Sequence, residues 1–150
     1  MYSHRLSSHN DIDFIHKCIE DGVNNGYFIS INKQDIEKVI HSTNKTSHLY
    51  TITYDYLDAG MFLINQISQP NFYGLEINML YVLPQYRGNG IGSYAIKYCE
   101  DCANGLPVIV RCDKQHSNRT ITLFKKLGYR AIGIDHQPKH NKQNVVLLKL

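Results

Sequence analysis

No stretch of this 150-residue sequence is repetitive, low in complexity or linker-like. Nothing in it separates two domains, so a single domain over residues 1–150 is expected, large enough to bury a core. No apolar run approaches the length needed to cross a membrane. The opening, MYSHRLSSHNDID, has no apolar segment of the kind that directs export. Cysteine is scarce. Four in a chain of this size do not make a disulfide framework, and without an export signal reduced thiols and a cytoplasmic location are the better reading. A strong charge of one sign is also missing, the net being +3. Lysines and arginines are scattered and form no basic stripe, which argues against nucleic acid as a partner. Only residues 111–142 lean basic, and an apolar helix pattern interrupts them. A modest attraction for anionic ligands is as much as the charge supports.

What is present is an ordinary globular composition, 43% apolar, 19% charged and 11% aromatic. YSHRL reads as a first strand. Ser8 with Asp11 resembles a capping box, and Ile12, Ile15, Ile19 and Val23 recur at helical spacing up to Gly22 and Gly26. Asn32 caps a second predicted helix whose buried stripe is Ile36, Val39 and Ile40. From Leu49 to Tyr56 the pattern alternates, with Tyr50, Ile52, Tyr54 and Tyr56 on one face. LDAG then reads as a turn and MFLINQI as the returning strand. GLEINMLYVL is a third, more continuously apolar strand, and so a central one.

Ile91, Tyr94, Ala95, Tyr98, Cys99 and Cys102 mark a further helix, ended by Gly105 and Pro107. VIVRC is a short buried strand reached by a parallel crossover. Ile121, Phe124 and Leu127 give a last helix closed by Gly128, and the strands YRAIGI and NVVLLKL follow. The expected order is β-α-α-β-β-β-α-β-α-β-β. It describes an α/β fold, a mixed central sheet of about six to seven strands with about four helices on its faces.

The segment VLPQYRGNGIG carries the chemistry. Gly88, Gly90 and Gly92 stand where a strand gives way to a helix, with Arg87 directly before them. Such a junction presents unpaired N–H groups and the positive end of the helix dipole, both suited to an anion. Residues without Cβ let the backbone approach a ligand closely. A dinucleotide fingerprint needs glycine at position 93, which is Ser93, and a Walker loop needs Gly-Lys-Ser/Thr, which is missing. From the residues alone, a phosphate-binding loop and a tight turn without ligand both stay open.

INMLYVLPQYRGNGIGSYAI resembles motif A of the GNAT superfamily of acyl-CoA-dependent N-acetyltransferases. It fits the family's Gln/Arg-x-x-Gly-x-Gly/Ala pattern through Gln85, Gly88 and Gly90, and again through Arg87, Gly90 and Gly92. NRTITLFKKLGYRAIG is similar to the family's motif B, at the family's spacing. The resemblance implies the GNAT fold and an acyltransferase that moves an acetyl group from acetyl-CoA to a primary amine in a ternary complex. It implies that the backbone of Leu80, Tyr81 and Val82 pairs with the pantetheine arm, with an N–H there, assigned to Val82, stabilising the oxyanion. By the same resemblance Arg87, Gly88, Asn89, Gly90, Ile91, Gly92 and Ser93 hold the pyrophosphate. Asn118 contacts the pantetheine arm, caps its helix, or does both.

One position departs from the family pattern. The tyrosine that often protonates the departing CoA thiolate is replaced by Phe124. Three readings follow: protonation by water, a substitute among Tyr81, Tyr86 and His116, or an acyl-CoA-binding sensor or interaction module with impaired chemistry. A nucleotide-binding domain unrelated to acyl transfer is a further alternative. Glu76, the only acid on GLEINMLYV, is the candidate general base, sharing a face with Asn78 and Leu80 by alternation. Asp113 is a second candidate.

Cys99, Cys102, Cys112 and His116 could be drawn as a zinc set, but both helix cysteines fall in the apolar stripe, and core packing without metal is the better reading. His136 and His140 share a loop that in this family often borders the acceptor pocket. Acetyl-CoA and an amine are thus the implied partners, with no metal, nucleic acid or membrane. The acceptor is not readable, and neither is the oligomeric state, a homodimer included.

Overall fold

A computed structural model describes residues 1–42 and 46–150. Its elements run β1 (Tyr2–Leu6), α1 (Ile12–Asn24), α2 (Lys33–Ile40), β2 (Ser47–Tyr54), β3 (Leu57–Gln69), β4 (Phe72–Val82), α3 (Ile91–Ala103), β5 (Val108–Asp113), α4 (Asn118–Lys126), β6 (Arg130–Gln137) and β7 (Lys142–Lys149), with short 3-10 turns before α1, after β4 and between β6 and β7. The expected order of helices and strands is the observed one. All seven strands join one sheet in the order β1-β2-β3-β4-β5-β7-β6, with β4 at the centre. Among the described residues only β4 and β5 pair in parallel, and α3 supplies the crossover. Among the described residues no helix is long and apolar enough to cross a membrane.

The helices bury their stripes on opposite faces of the sheet. Ile12, Ile15 and Ile19 of α1 and Ile36 of α2 pack with Met61, Met79 and Tyr81. Ile91, Ala95, Ile96 and Cys99 of α3 and Ile121 and Phe124 of α4 pack with Phe62, Leu75, Ile77 and Val110. Asn32 caps α2 as expected, its side chain accepting the Asp35 N–H at 2.8 Å. At the start of α1, the Asp11 carboxylate accepts the Ser8 N–H at 2.8 Å. Gly128 closes α4 with a left-handed φ of 97°, and the Tyr129 N–H returns to the Phe124 carbonyl at 3.0 Å.

Three local expectations are corrected. The β2–β3 turn is Asp55–Tyr56, both with positive φ, and Tyr54 pairs directly with Leu57. A two-residue hairpin loop of this hand matches strand twist. LDAG is therefore already strand, and Tyr56, 98% exposed, is not on the Tyr50 face. Cys102 is exposed, because Ile96 and Ala103 complete the buried stripe of α3. Finally, Leu63 pairs with Met79 and Ile64 with Ile77, which leaves Asn78 as an extra residue, a β-bulge in β4. Before the bulge Leu75 and Ile77 face α3. After it Leu80 and Val82 pack on that same side, while Met79, Tyr81 and Leu83 face α1. Glu76 and Leu80 thus lie on opposite faces, against the simple alternation.

Candidate active site

The parallel pairing of β4 with β5 stops early. Its register runs Leu75 to Val108, Glu76 to Ile109 and Ile77 to Val110, although β4 continues to Val82 and β5 to Asp113. Beyond the last pair the strands part, and a cleft of about 380 Å³ opens between them. Backbone groups on the open side of β4 have no ladder partner there. At Val82 their direction is fixed. The Leu83 N–H donates to the Ala59 carbonyl of β3 at 2.8 Å, and the Val82 carbonyl accepts from Arg87 Nε at 3.0 Å. A strand residue points its N–H and C=O the same way, so the Val82 N–H also faces the cleft.

The glycine loop forms one wall. Gly88 and Gly90 have φ of 84° and 79°, where a side chain is disfavoured, and Gly90 is the N-cap of α3. The first helical hydrogen bond runs from the Tyr94 N–H to the Gly90 carbonyl at 3.0 Å. The N–H groups of Ile91, Gly92 and Ser93 are the unpaired donors of the first turn, at the positive end of a 13-residue helix. Asn89 braces the loop from outside. Its Nδ2 donates to the Tyr86 carbonyl at 2.9 Å, and its own carbonyl accepts from the Tyr2 hydroxyl.

Of the residues singled out from the sequence, Leu80, Tyr81, Val82, Arg87, Gly88, Gly90, Ile91, Gly92 and Ser93 line this cleft together. Asn89, Glu76 and Asn118 do not. Asn118 is the first residue of α4, exposed in a shallow depression with Thr122 and Lys126, and the cap position belongs to Ser117, which is buried and lines the cleft. The cap in a Ser-Asn pair is ambiguous from sequence, since both residues cap well. Phe124 is fully buried, lines the cleft, and meets Tyr129 edge to face at 4.9 Å.

Both candidate carboxylates are engaged. Glu76 takes Arg111 Nη1 at 2.5 Å and Asn65 Nδ2 at 3.2 Å, and Arg111 Nε reaches Asp135 at 3.4 Å. Asp113 meets Lys142 Nζ at 2.8 Å and His116 Nδ1 at 2.7 Å. Burial raises the Asp113 pKa, but the bonds to Lys142 and His116 outweigh it and hold the carboxyl below its ordinary value. His116 packs against Gly26 and, like His136 and His140, does not line the cleft. Burial pushes the Cys112 thiol up to about 12, so it is no nucleophile near neutral pH. His9, Glu37 and His41 are the one set of three His/Cys/Asp/Glu residues among the described residues with ligand atoms within 4.8 Å of one another, and it is exposed and outside the cleft.

The sequence gives no hint of Tyr27, Phe28 and Arg119 as wall residues. They reach the cleft from the end of α1 and the start of α4 through tertiary packing alone.

No curated protein matches the chain in sequence. Solved structures match its fold over nearly all of its length. A GCN5-related N-acetyltransferase from Kribbella flavida superposes with a TM-score of 0.79 at 16% identity, covering 99% of this chain and 96% of that one. PaiA N-acetyltransferase from Thermoplasma acidophilum, in complex with coenzyme A, gives 0.76 at 14% identity, covering 99% and 98%. Naa50 from Arabidopsis thaliana, with the bisubstrate analogue CoA-Ac-MVNAL, gives 0.76 at 16%, covering 99% and 98%. The family model for the acetyltransferase (GNAT) domain matches residues 36–131, the span that holds the splayed strands and the glycine loop, and the chain belongs to the GNAT family of acetyltransferases.

Proposed function

We propose that this chain, as one domain over residues 1–150, transfers an acetyl group from acetyl-CoA to a primary amine by direct attack in a ternary complex. The observation that carries the reading is the parting of β4 from β5 after Ile77 and Val110, directly beside unpaired amides of the glycine loop. It leaves an extended backbone edge for the amide-rich pantetheine arm and an anion site for the pyrophosphate at one end. Two proteins of similar fold carry CoA or a CoA conjugate, which supports acetyl-CoA as the donor.

In this reading the amides of Gly88 to Ser93 hold the pyrophosphate with Arg87, and Leu80, Tyr81 and Val82 align the arm. The neutral amine attacks the thioester carbonyl. A C–N bond forms, and the Val82 N–H stabilises the oxyanion. The intermediate then collapses with cleavage of the C–S bond. Glu76 and Asp113 are both committed to cationic partners, so water takes the amine proton. Phe124 has no proton to give, and the thiolate leaves unassisted, as a thiol with a pKa only about one to two units above neutral allows. No acyl-enzyme is needed, and the buried Cys112 is unsuited to form one.

The test is release of CoA from acetyl-CoA across an amine panel, with acetyl-CoA binding measured by calorimetry. Binding with amine-dependent CoA release is the expected result. Binding without release from any amine would leave a CoA-binding module, and no binding would remove the reading altogether.

A further inference from the structure

The bulge at Asn78 divides the cleft into two chemically different halves. Leu80 and Val82 face the α3 and α4 side with the glycine loop, where the donor is placed. Met79 and Tyr81 face α1, and there Tyr27 and Phe28 complete an aromatic wall, their rings 6.3 and 5.8 Å from that of Tyr81. Phe28 is seated against Gly22, where any Cβ would stand 2.3 Å from its ring. This half is built from apolar and aromatic side chains, and the Tyr81 hydroxyl is its buried polar atom. Tyr81 lines the cleft and is 3% exposed, and its hydroxyl makes no well-formed hydrogen bond, only a weaker contact with Arg87. Arg87 sits over the ring face, 5.3 Å from the centroid. A buried hydroxyl without a well-formed hydrogen bond is costly, and a ligand group that bonds it well would relieve it.

Charge narrows the class further. Among the described residues Asp113 is the one acid lining the cleft, and Lys142 and His116 already neutralise it. Arg87, Arg111 and Arg119 also line it. Asp21 on α1 interacts electrostatically with Tyr81 but does not line the cleft. One acid near the acceptor half can attract one ammonium group. It cannot balance a polycation beside Arg87 and Arg119, Arg111 being already paired with Glu76 and Asp135.

Resting on the proposed transfer reaction, we infer that the acceptor is a monoamine on an apolar or aromatic body, carrying a hydrogen-bonding group beside the amine that pairs with the Tyr81 hydroxyl. Polyamines and aminoglycosides are excluded by the same surface. The α-amino group of a hydrophobic residue, free or at a peptide N-terminus, fits this description.

The test compares phenylalaninamide, 2-phenylethylamine, a peptide beginning with phenylalanine, spermidine and kanamycin as acceptors. Both aromatic monoamines should exceed spermidine in kcat/KM by at least tenfold. The peptide against the amide then separates a protein acceptor from a small one. Tyr81→Phe should raise KM for phenylalaninamide about three- to tenfold more than for 2-phenylethylamine, which has no group for the hydroxyl, and should not lower the melting temperature. Spermidine or kanamycin as the best acceptor would overturn the inference, and so would equal effects of Tyr81→Phe on both aromatic amines. If no amine is turned over, amine Kd values on the CoA-saturated protein supply the same ranking, and the failure falls on the transfer reaction alone.

Discussion

Replacing Gly88 or Gly90 by alanine separates two properties of the glycine loop. Both residues have a left-handed backbone, so each alanine costs about 1–2 kcal/mol from that source. Their surroundings differ. A Cβ on Gly88 meets nothing within 4 Å, whereas one on Gly90 would stand 2.8 Å from the Tyr2 hydroxyl. That hydroxyl donates to the Asn89 carbonyl, and its ring packs on Tyr54 and Tyr94 at 5.6 and 5.2 Å, so it cannot yield without losing contacts. Gly90→Ala therefore carries about 1 kcal/mol more, the net worth of a hydrogen bond. At about 2–4 °C per kcal/mol for a chain of this size, Gly90→Ala should melt a few degrees below Gly88→Ala. For acetyl-CoA the order reverses. A methyl at Gly88, a cleft-lining residue of the proposed pyrophosphate site, meets open space, while the one at Gly90 projects toward Tyr2. Gly88→Ala should weaken acetyl-CoA binding about tenfold or more by calorimetry, and Gly90→Ala by less. In the Tyr2→Phe background the extra cost of Gly90→Ala should vanish, a coupling of about 1 kcal/mol. The same ranking in melting and in binding would refute this account of the loop.

Three further outcomes are expected. Glu76→Gln should leave the pH dependence of kcat/KM governed by the acceptor's own ionisation, because the carboxylate is held by Arg111, and loss of an acidic limb in the variant would show Glu76 to be the base. Phe124→Tyr should change kcat by less than about threefold, and a rise of tenfold or more would show that thiolate protonation limits turnover. Asp113 has a lowered pKa in the folded chain, so its contribution to stability is present above the unfolded value near 4 and is lost as pH falls through the folded one. The gap in urea midpoint between wild type and Asp113→Asn should therefore shrink as pH falls below about 4, and a gap that stays constant from about pH 5 down to about pH 2.5 would contradict it.

Helices, strands and the glycine loop were legible because each depends on neighbours in sequence. Periodicity marks a stripe, and glycines at a strand-to-helix junction mark their own backbone. One departure is local, and the others involve the register of distant segments. An Asp-Tyr turn with two positive φ angles lacks the glycine that usually signals one, and the nearby Gly60 drew the turn onto the strand. The bulge at Asn78 leaves the apolar run unbroken, so only pairing with β3 reveals it. Glu76 looked free because its partner Arg111 lies 35 residues away, on the neighbouring parallel strand. The cleft itself was invisible for the same reason. Its existence depends on where β4 stops pairing with β5, and its wall at Tyr27 and Phe28 comes from packing at the end of α1.

The single extra residue at Asn78 has a consequence for how this site can diversify. It makes β4 a partition whose odd and even positions past the bulge furnish different rooms. In the proposed reading, a change at Met79 or Tyr81 alters what meets the acceptor, while Leu80 and Val82, and the donor they would face, keep their places. New acceptors are thus within reach of point substitutions. Deleting Asn78 would leave both sets in place, because Ile77 and Met79 already face opposite sides, whereas drawing Asn78 into a regular ladder would exchange them at a stroke.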